Sequence, residues 1–192
     1  MSLYKIAQIG HPVLRQRARE LEPEEILRPP FQRFLDDLVE TMRDANGAGL
    51  AAIQVYRPIR VVAVEVTGNN PRYPYKPPIP LQILINPVIT PLTDEVFENF
   101  EGCLSVPGLR GLVERRAEVH VSGLDREGNP IEFDARGLKA GTYQHECDHL
   151  DGVLFTDRVK DPKTLCTLEA FERYHQKAFV ERIRPFIQRM GS

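Results

Sequence analysis

The chain has 192 residues, 25 Lys and Arg against 27 Asp and Glu, a formal net charge of −2 and a pI near 6.2. With 42% apolar and 27% charged residues, it has the balance of one globular domain, 1–192, that buries roughly two-thirds of its unfolded surface, which excludes a disordered or fibrous chain and a basic surface for DNA. Neither an apolar run near the roughly 18 residues of a membrane span nor a secretory or transit pattern in MSLYKIAQIGHP is present, so the reading is a cytoplasmic protein with no membrane partner.

Pro29 and Pro30 introduce Phe31, Phe34, Leu35, Leu38, Val39 and Met42. This i, i+3, i+4, i+7, i+8, i+11 stripe, closed by Asn46-Gly47, predicts an amphipathic N-terminal helix. The β-branched segments 59–66, 81–89 and 118–124 predict strands, and the last is followed by a turn over 125–129 and a further strand over 131–133. Between the first two, 68–80 holds Pro71, Pro74, Pro77, Pro78 and Pro80, which predicts a surface loop. A second helix is expected over 139–149, stopping near Gly152. A third is expected to start at Asp161-Pro162 and run past Phe179, with Pro185 kinking or ending it. Grouped strands and helices give an α+β architecture with mostly antiparallel sheets.

His145-Glu146-Cys147-Asp148-His149 fits H-E-x-x-H. On a helix, four residues return to within roughly 40° of the starting direction, so the two histidines project side by side and can share one metal ion. Glu146 is one residue beyond the first of them, close enough to move a proton of water without being a ligand. A third ligand has three candidate sources. An extended HExxHxxGxxH pattern fails because position 155 is Phe155. Glu169 is spaced as a glutamate ligand would be, in a segment that reads as a solvated helix face. Cys103 stands among Glu101, Gly102, Pro107 and Gly108, where backbone can approach a ligand, and a thiolate beside two imidazoles suits a transition metal.

Three segments together carry a family resemblance: Gly47-Ala48-Gly49-Leu50-Ala51-Ala52-Ile53-Gln54, 101–108, and Gln144-His145-Glu146-Cys147-Asp148-His149-Leu150-Asp151-Gly152. In this order they resemble the three signature motifs of peptide deformylase, and the likeness extends from Gly10-His11-Pro12 to the end of the domain. The resemblance implies antiparallel sheets around a central metal-binding HExxH helix, with an N-terminal and a C-terminal helix. It implies Cys103, His145 and His149 as metal ligands, Glu146 as the proton-handling group, and Gln54 with the Leu104 N–H as oxyanion donors. Backbone around Gly49 and Gly102 is implied as the edge that holds an extended peptide. The implied ion is divalent, Fe(2+) in the cell, with Zn(2+), Ni(2+) or Co(2+) in purified protein. The implied substrates are N-formyl-methionyl peptides and nascent chains, and a transient ribosome contact is kept as a further partner. The pocket for an unbranched methionine side chain is expected to be lined by apolar residues.

The chain departs from the family pattern at Ala48, at Tyr56 where glycine is common, in the length of the 68–80 loop and at Gly141-Thr142-Tyr143. Elsewhere plainer readings hold. Cys103, Cys147 and Cys166 form no CxxC pair, which disfavours a disulfide framework. Cys147 and Cys166 read as small buried hydrophobes. His11 reads as a turn residue, His120 as facing the far side of its strand, and His175 as part of the last helix. Gln144 and Asp148 read as solvated, with Asp148 alternatively orienting a ligand histidine. Arg110 reads as an ion-pair residue or a brace for the cysteine motif. Lys177, Arg182, Arg184 and Arg189 alternate with acids, as on a solvated helix face. A zinc endopeptidase using Glu169 and a non-catalytic descendant are the other classes considered; retention of Glu146 with Gln54 argues against the second.

Overall fold

The structure, a computed structural model, describes residues 2–68 and 75–191. Its helices are α1 (Pro23–Ile26), α2 (Pro29–Asp44), α3 (Gly137–Leu150), α4 (Phe155–Arg158), α5 (Leu168–Ala170) and α6 (Gln176–Met190). Its strands are β1 (Gly49–Ala51), β2 (Val61–Val66), β3 (Ile79–Pro91), β4 (Val96–Cys103), β5 (Val106–Arg116), β6 (Glu118–Leu124), β7 (Pro130–Arg136) and β8 (Cys166–Thr167). The order β1-β2-β3-β6-β7 makes one antiparallel sheet and β4-β5-β8 another.

Helix α2 starts at its proline pair, where the missing N–H of Pro29 would have had no helical partner. Its predicted stripe of Phe34, Leu35, Leu38, Val39 and Met42 is buried. These residues pack with Leu50, Val61, Ala63, Ile83 and Ile85 on one face of the first sheet. The alternate residues Val62, Val64, Leu84, Val119 and Val121 point to the other face and pack with Ala140, Tyr143 and Leu150 of α3. A sheet covered on both faces needs the unbroken apolar run 61–64 rather than an alternating one.

Helix α3 lies between the two sheets, in contact with β1, β2, β3, β6 and β7 on one side and β4 and β5 on the other. The expected α+β arrangement of antiparallel sheets around this helix, with helices near both ends of the chain, is therefore the observed one.

Three expectations need correction. The sequence reading has no strand between 90 and 117, yet β4 and β5 form a long hairpin there. The third helix does not begin at Asp161: the Asp161 carboxylate caps one 3-10 turn (Pro162–Thr164), and β8 intervenes. The helix starts after Thr167, whose side chain accepts from the Ala170 N–H at 3.1 Å, and passes through a π-turn (Phe171–His175) into α6. Pro185 does not end α6, which reaches Met190 before the left-handed Gly191. Of the proline-rich 68–80 segment, Pro71 and Pro74 lie outside the described residues, and Ile79 and Pro80 already belong to β3. Among the described residues no helix is long and apolar enough to cross a membrane.

Candidate active site

Helix α3 presents His145 and His149 one turn apart, their rings 5.0 Å between centroids and nearly perpendicular. Cys103 ends β4, where the register shifts between Glu101 and Cys103. Such an irregularity re-aims a side chain that a regular strand would hold elsewhere. Here the Cys103 Sγ lies 3.2 Å from His149 Nε2, and the three donor atoms of Cys103, His145 and His149 lie within 4.8 Å of one another. Burial opposes ionisation of Cys103, but the His149 and His145 imidazoles outweigh it and hold the thiol well below its ordinary range. A buried thiolate facing two imidazoles is a donor set that fits a divalent transition metal.

Glu101, in the sequence only a member of the 101–108 motif, has a definite task in the structure. His145 donates from Nδ1 to Glu101 Oε2 at 2.8 Å, which leaves the other ring nitrogen as the lone-pair donor. The Arg115 guanidinium donates to both Glu101 oxygens, at 2.7 and 2.8 Å, and to Asp148 at 2.6 Å. Burial would raise the Glu101 carboxyl, yet Arg115 beside it keeps it far below the usual carboxylate range. Asp148, also paired with Arg158, is thus two steps removed from the ligand it was considered to orient. Gln144 is not solvated but bonded to the backbone of Arg116 in both directions, at 3.0 and 2.9 Å.

Gln54 sits in a 3-10 turn (Ala52–Val55) directly after β1. Its Oε1 accepts from the Ala51 N–H at 2.8 Å, and its Nε2 donates to Ser105 Oγ at 3.0 Å with Cys103 Sγ 3.5 Å away. The amide is therefore oriented with its NH2 toward the cysteine. Glu146 is buried, burial pushes its carboxyl up from the ordinary range, and its Oε2 has no hydrogen-bond partner among the described residues. A Cβ on Gly49 would come within 2.4 Å of Glu146 Oε1, and one on Gly102 within 1.7 Å of Arg110 Nη1. Each glycine makes room for a side chain of the site. Arg110 is accordingly buried, not a surface residue.

One cavity of about 30 Å³ is bordered by Gly49, Gln54, Gly102, Cys103, Leu104, His145 and Glu146, so every predicted site residue except His149 faces it directly. Lys76, Asn99, Phe100, Gly141 and Thr142 also border it. Glu169 is exposed and outside the cluster. Phe155, at the position a third histidine would take, stacks toward His145 with centroids 6.4 Å apart.

The family model for polypeptide deformylase matches residues 3–165. A peptide deformylase from Leptospira biflexa serovar Patoc is 44% identical over 165 residues, 85% of this chain and 91% of its own length. Among solved structures, a Met-Ala-Ser-bound class I type b peptide deformylase from Acinetobacter baumannii is 37% identical with a TM-score of 0.79, covering 82% of this chain and 99% of that one. The Synechococcus elongatus enzyme in complex with actinonin is 34% identical with a TM-score of 0.74, covering 88% and 85%.

Proposed function

This chain belongs to the polypeptide deformylase family, hydrolases that remove the N-formyl group from newly made polypeptides, and from that premise we propose which of its residues do the work. Cys103, His145 and His149 hold one divalent metal, Fe(2+) in the cell, with Zn(2+), Ni(2+) or Co(2+) replacing it on purification because they bind such donors more tightly. When bound, the ion supplies Lewis acidity, acidifying water and polarising the formyl carbonyl.

Glu146 takes the proton from the attacking water and delivers it to the leaving amine. Burial suits it to the first task, since a carboxyl raised from its ordinary range takes up a proton more readily than an exposed one, and the protonated carboxyl then stands beside the leaving amine to return it. The Gln54 NH2 and the Leu104 N–H meet the oxyanion. Gln54 is fixed beforehand by Ala51 and Ser105, so little reorganisation accompanies charge development. The backbone at Gly49 and Gly102 borders an extended N-formyl-methionyl peptide, as a strand lies along a sheet edge. Residues 1–192 act as one catalytic domain in the cytoplasm, meeting nascent chains in a transient contact at the ribosome.

The observation that carries this reading is the convergence on one cavity of a thiol, the His145 imidazole, a buried carboxyl whose Oε2 has no partner among the described residues and an oriented amide, with the His149 imidazole beside the thiol. Formate release from formyl-Met-Ala-Ser by anaerobically prepared, Fe(2+)-loaded protein tests it, with acetyl-Met-Ala-Ser as the control. Glu146→Gln should lower the rate by about 10²- to 10⁴-fold with metal content unchanged. Undiminished turnover in that variant refutes the role given to Glu146.

A further inference from the structure

The segments 16–21 and 57–59 and the start of α2 line a second groove of about 790 Å³, which shares no residue with the cavity at the metal-ligand cluster. Backbone fixes its walls. The Arg19 N–H donates to the Pro58 carbonyl at 3.0 Å and the Arg60 N–H to the Arg19 carbonyl at 2.8 Å, while the Asn86 amide exchanges two bonds of 2.9 Å with the Leu21 backbone. A groove formed before anything enters it lowers the ordering cost of binding. Leu21 and Phe34 are buried and Phe31 and Ile59 half-buried, whereas the four arginines of the lining are exposed, so an apolar floor lies inside a cationic rim. Leu27, next to Arg28 of that rim, is 65% exposed. Glu25, the one acid of the lining, is taken up by Arg19, which donates to both its oxygens at 2.8 and 2.7 Å. Arg28 and Arg57 pair with no carboxylate among the described residues: Arg28 donates to the Glu24 carbonyl at 3.1 Å, and the Arg57 guanidinium stands 5.8 Å from the centre of the Phe34 ring. Arg17 has a carboxylate only at 3.7 Å, that of Asp151, which Arg60 holds at 2.8 Å. Three guanidiniums without a close counter-charge on one groove, in a chain of net charge −2, make a local field that complements an anionic partner.

We propose that this groove docks a short acidic segment of a partner polypeptide, whose carboxylates meet Arg17, Arg28 and Arg57 while a leucine- or phenylalanine-type side chain between them lies on Leu21, Phe31, Phe34 and Ile59. Guanidinium forks match carboxylates in a bidentate geometry. The volume falls within the roughly 300–1,000 Å³ of sites that enclose drug-sized molecules, which suits a few residues of extended chain and not a folded domain. A nucleic-acid strand fits less well. Such strands need aromatic faces on which bases stack, and Phe34 is buried with Tyr4 and Phe31 around it, at 5.7 and 6.0 Å between ring centres, and Arg57 over its ring. Because the groove and the metal-ligand cluster share no residue, its occupancy is independent of the reaction assigned above.

Fluorescence anisotropy on the metal-loaded, full-length protein tests this with a fluorescein-labelled Asp-Glu-Leu-Phe-Glu-Asp peptide. Binding is expected at low salt and should weaken as salt rises, because exposed charge pairs are screened. The Asn-Gln-Leu-Phe-Gln-Asn peptide, which lacks the charge, and the Asp-Glu-Ser-Ser-Glu-Asp peptide, which lacks the apolar contact, should each bind about tenfold more weakly or worse. Arg28→Glu combined with Arg57→Glu should cost the acidic peptide about tenfold or more in affinity, with circular dichroism and formate release from formyl-Met-Ala-Ser unchanged. If circular dichroism does change, the milder pair Arg28→Gln and Arg57→Gln decides, with an expected loss of about threefold or more. A wild type that does not bind the acidic peptide, an uncharged peptide that binds equally well, or full affinity in the variants overturns the proposal. So does an oligouridylate strand that displaces the acidic peptide and binds more tightly. A wild type that binds the peptide but releases no formate refutes the deformylase reading instead and leaves the groove standing.

Discussion

His145 can offer a ring lone pair to a metal only in one tautomer, and Glu101 selects it by accepting the Nδ1 hydrogen. Arg115 in turn keeps Glu101 ionised inside the protein, where an unpaired carboxylate would be strongly disfavoured. Glu101→Gln keeps the shape of this arrangement and removes its charge. Metal affinity should drop by about 10- to 100-fold, read by competition against a chromophoric chelator, while circular dichroism stays that of the wild type; unchanged affinity would show that the carboxylate only fills space. The three cysteines supply a second check. Burial pushes the Cys147 thiol up to about 12, and burial also raises Cys166, whereas the paired imidazoles hold Cys103 down. At pH 7.5 the chelator-treated protein should therefore be alkylated by iodoacetamide first at Cys103, and metal should protect it. Peptide mapping that finds Cys147 or Cys166 modified first would contradict the thiolate assignment.

At the scale of elements, what was legible in the sequence divides along the same line as what each element buries. α2 and the strands of the first sheet follow hydrophobic periodicity because their buried faces are apolar, and they lie close to where that period places them. The hairpin β4–β5 escaped because its inward series Phe97, Asn99, Glu101, Cys103 and its partner residues Arg110 and Arg115 are mostly polar. They face inward to build the site, so the period that marks a strand carries the wrong residue types. The two histidines proposed as metal ligands were legible for the opposite reason, since chemistry fixes their spacing on α3. Their supports, Glu101, Arg115 and Ser105, come from other elements and leave no local signature. Tyr56, where the resemblance leads one to expect glycine, caps the Gln54 turn in the left-handed region at φ 64°, a conformation glycine adopts without cost. That conformation costs a side-chain-bearing residue about 1–2 kcal/mol, partly returned by its edge-on contact with His11 at 5.0 Å, which is worth about 0.5–1.5 kcal/mol. Tyr56→Ala keeps the strain and loses the contact, so urea denaturation should show a loss of about 1 kcal/mol. Tyr56→Gly relieves the strain but adds freedom to the unfolded chain, and its effects nearly cancel. Equal losses in both variants would mean that the backbone there carries no strain.

At the scale of the whole molecule, the family match ends at residue 165 while the fold does not. The segment beyond it pairs β8 with β5 at Arg110, the residue seated over Gly102, and then lays Phe171, Phe179 and Ile183 against Phe97 and Leu138. Phe186 stacks on Phe97 at 4.7 Å and Phe171 lies 4.9 Å from Phe100, which borders the cavity. The C-terminal helix therefore forms the rear support of the hairpin that carries Cys103. Burying Phe171, Phe179 and Ile183 contributes roughly 5–9 kcal/mol, comparable to the roughly 5–15 kcal/mol by which a domain is stable. Ending the chain after Leu165 should lower the thermal midpoint by more than about 10 °C, since 1 kcal/mol corresponds to about 2–4 °C at this size. Because the truncated chain can simply fail to accumulate, Ile183→Ala provides the graded version: a cost of about 2–5 kcal/mol in chemical denaturation, with metal affinity falling less than in Glu101→Gln. A truncated chain that melts with the full-length protein would place the stability of the hairpin in the first 165 residues alone and leave α6 as an appendage.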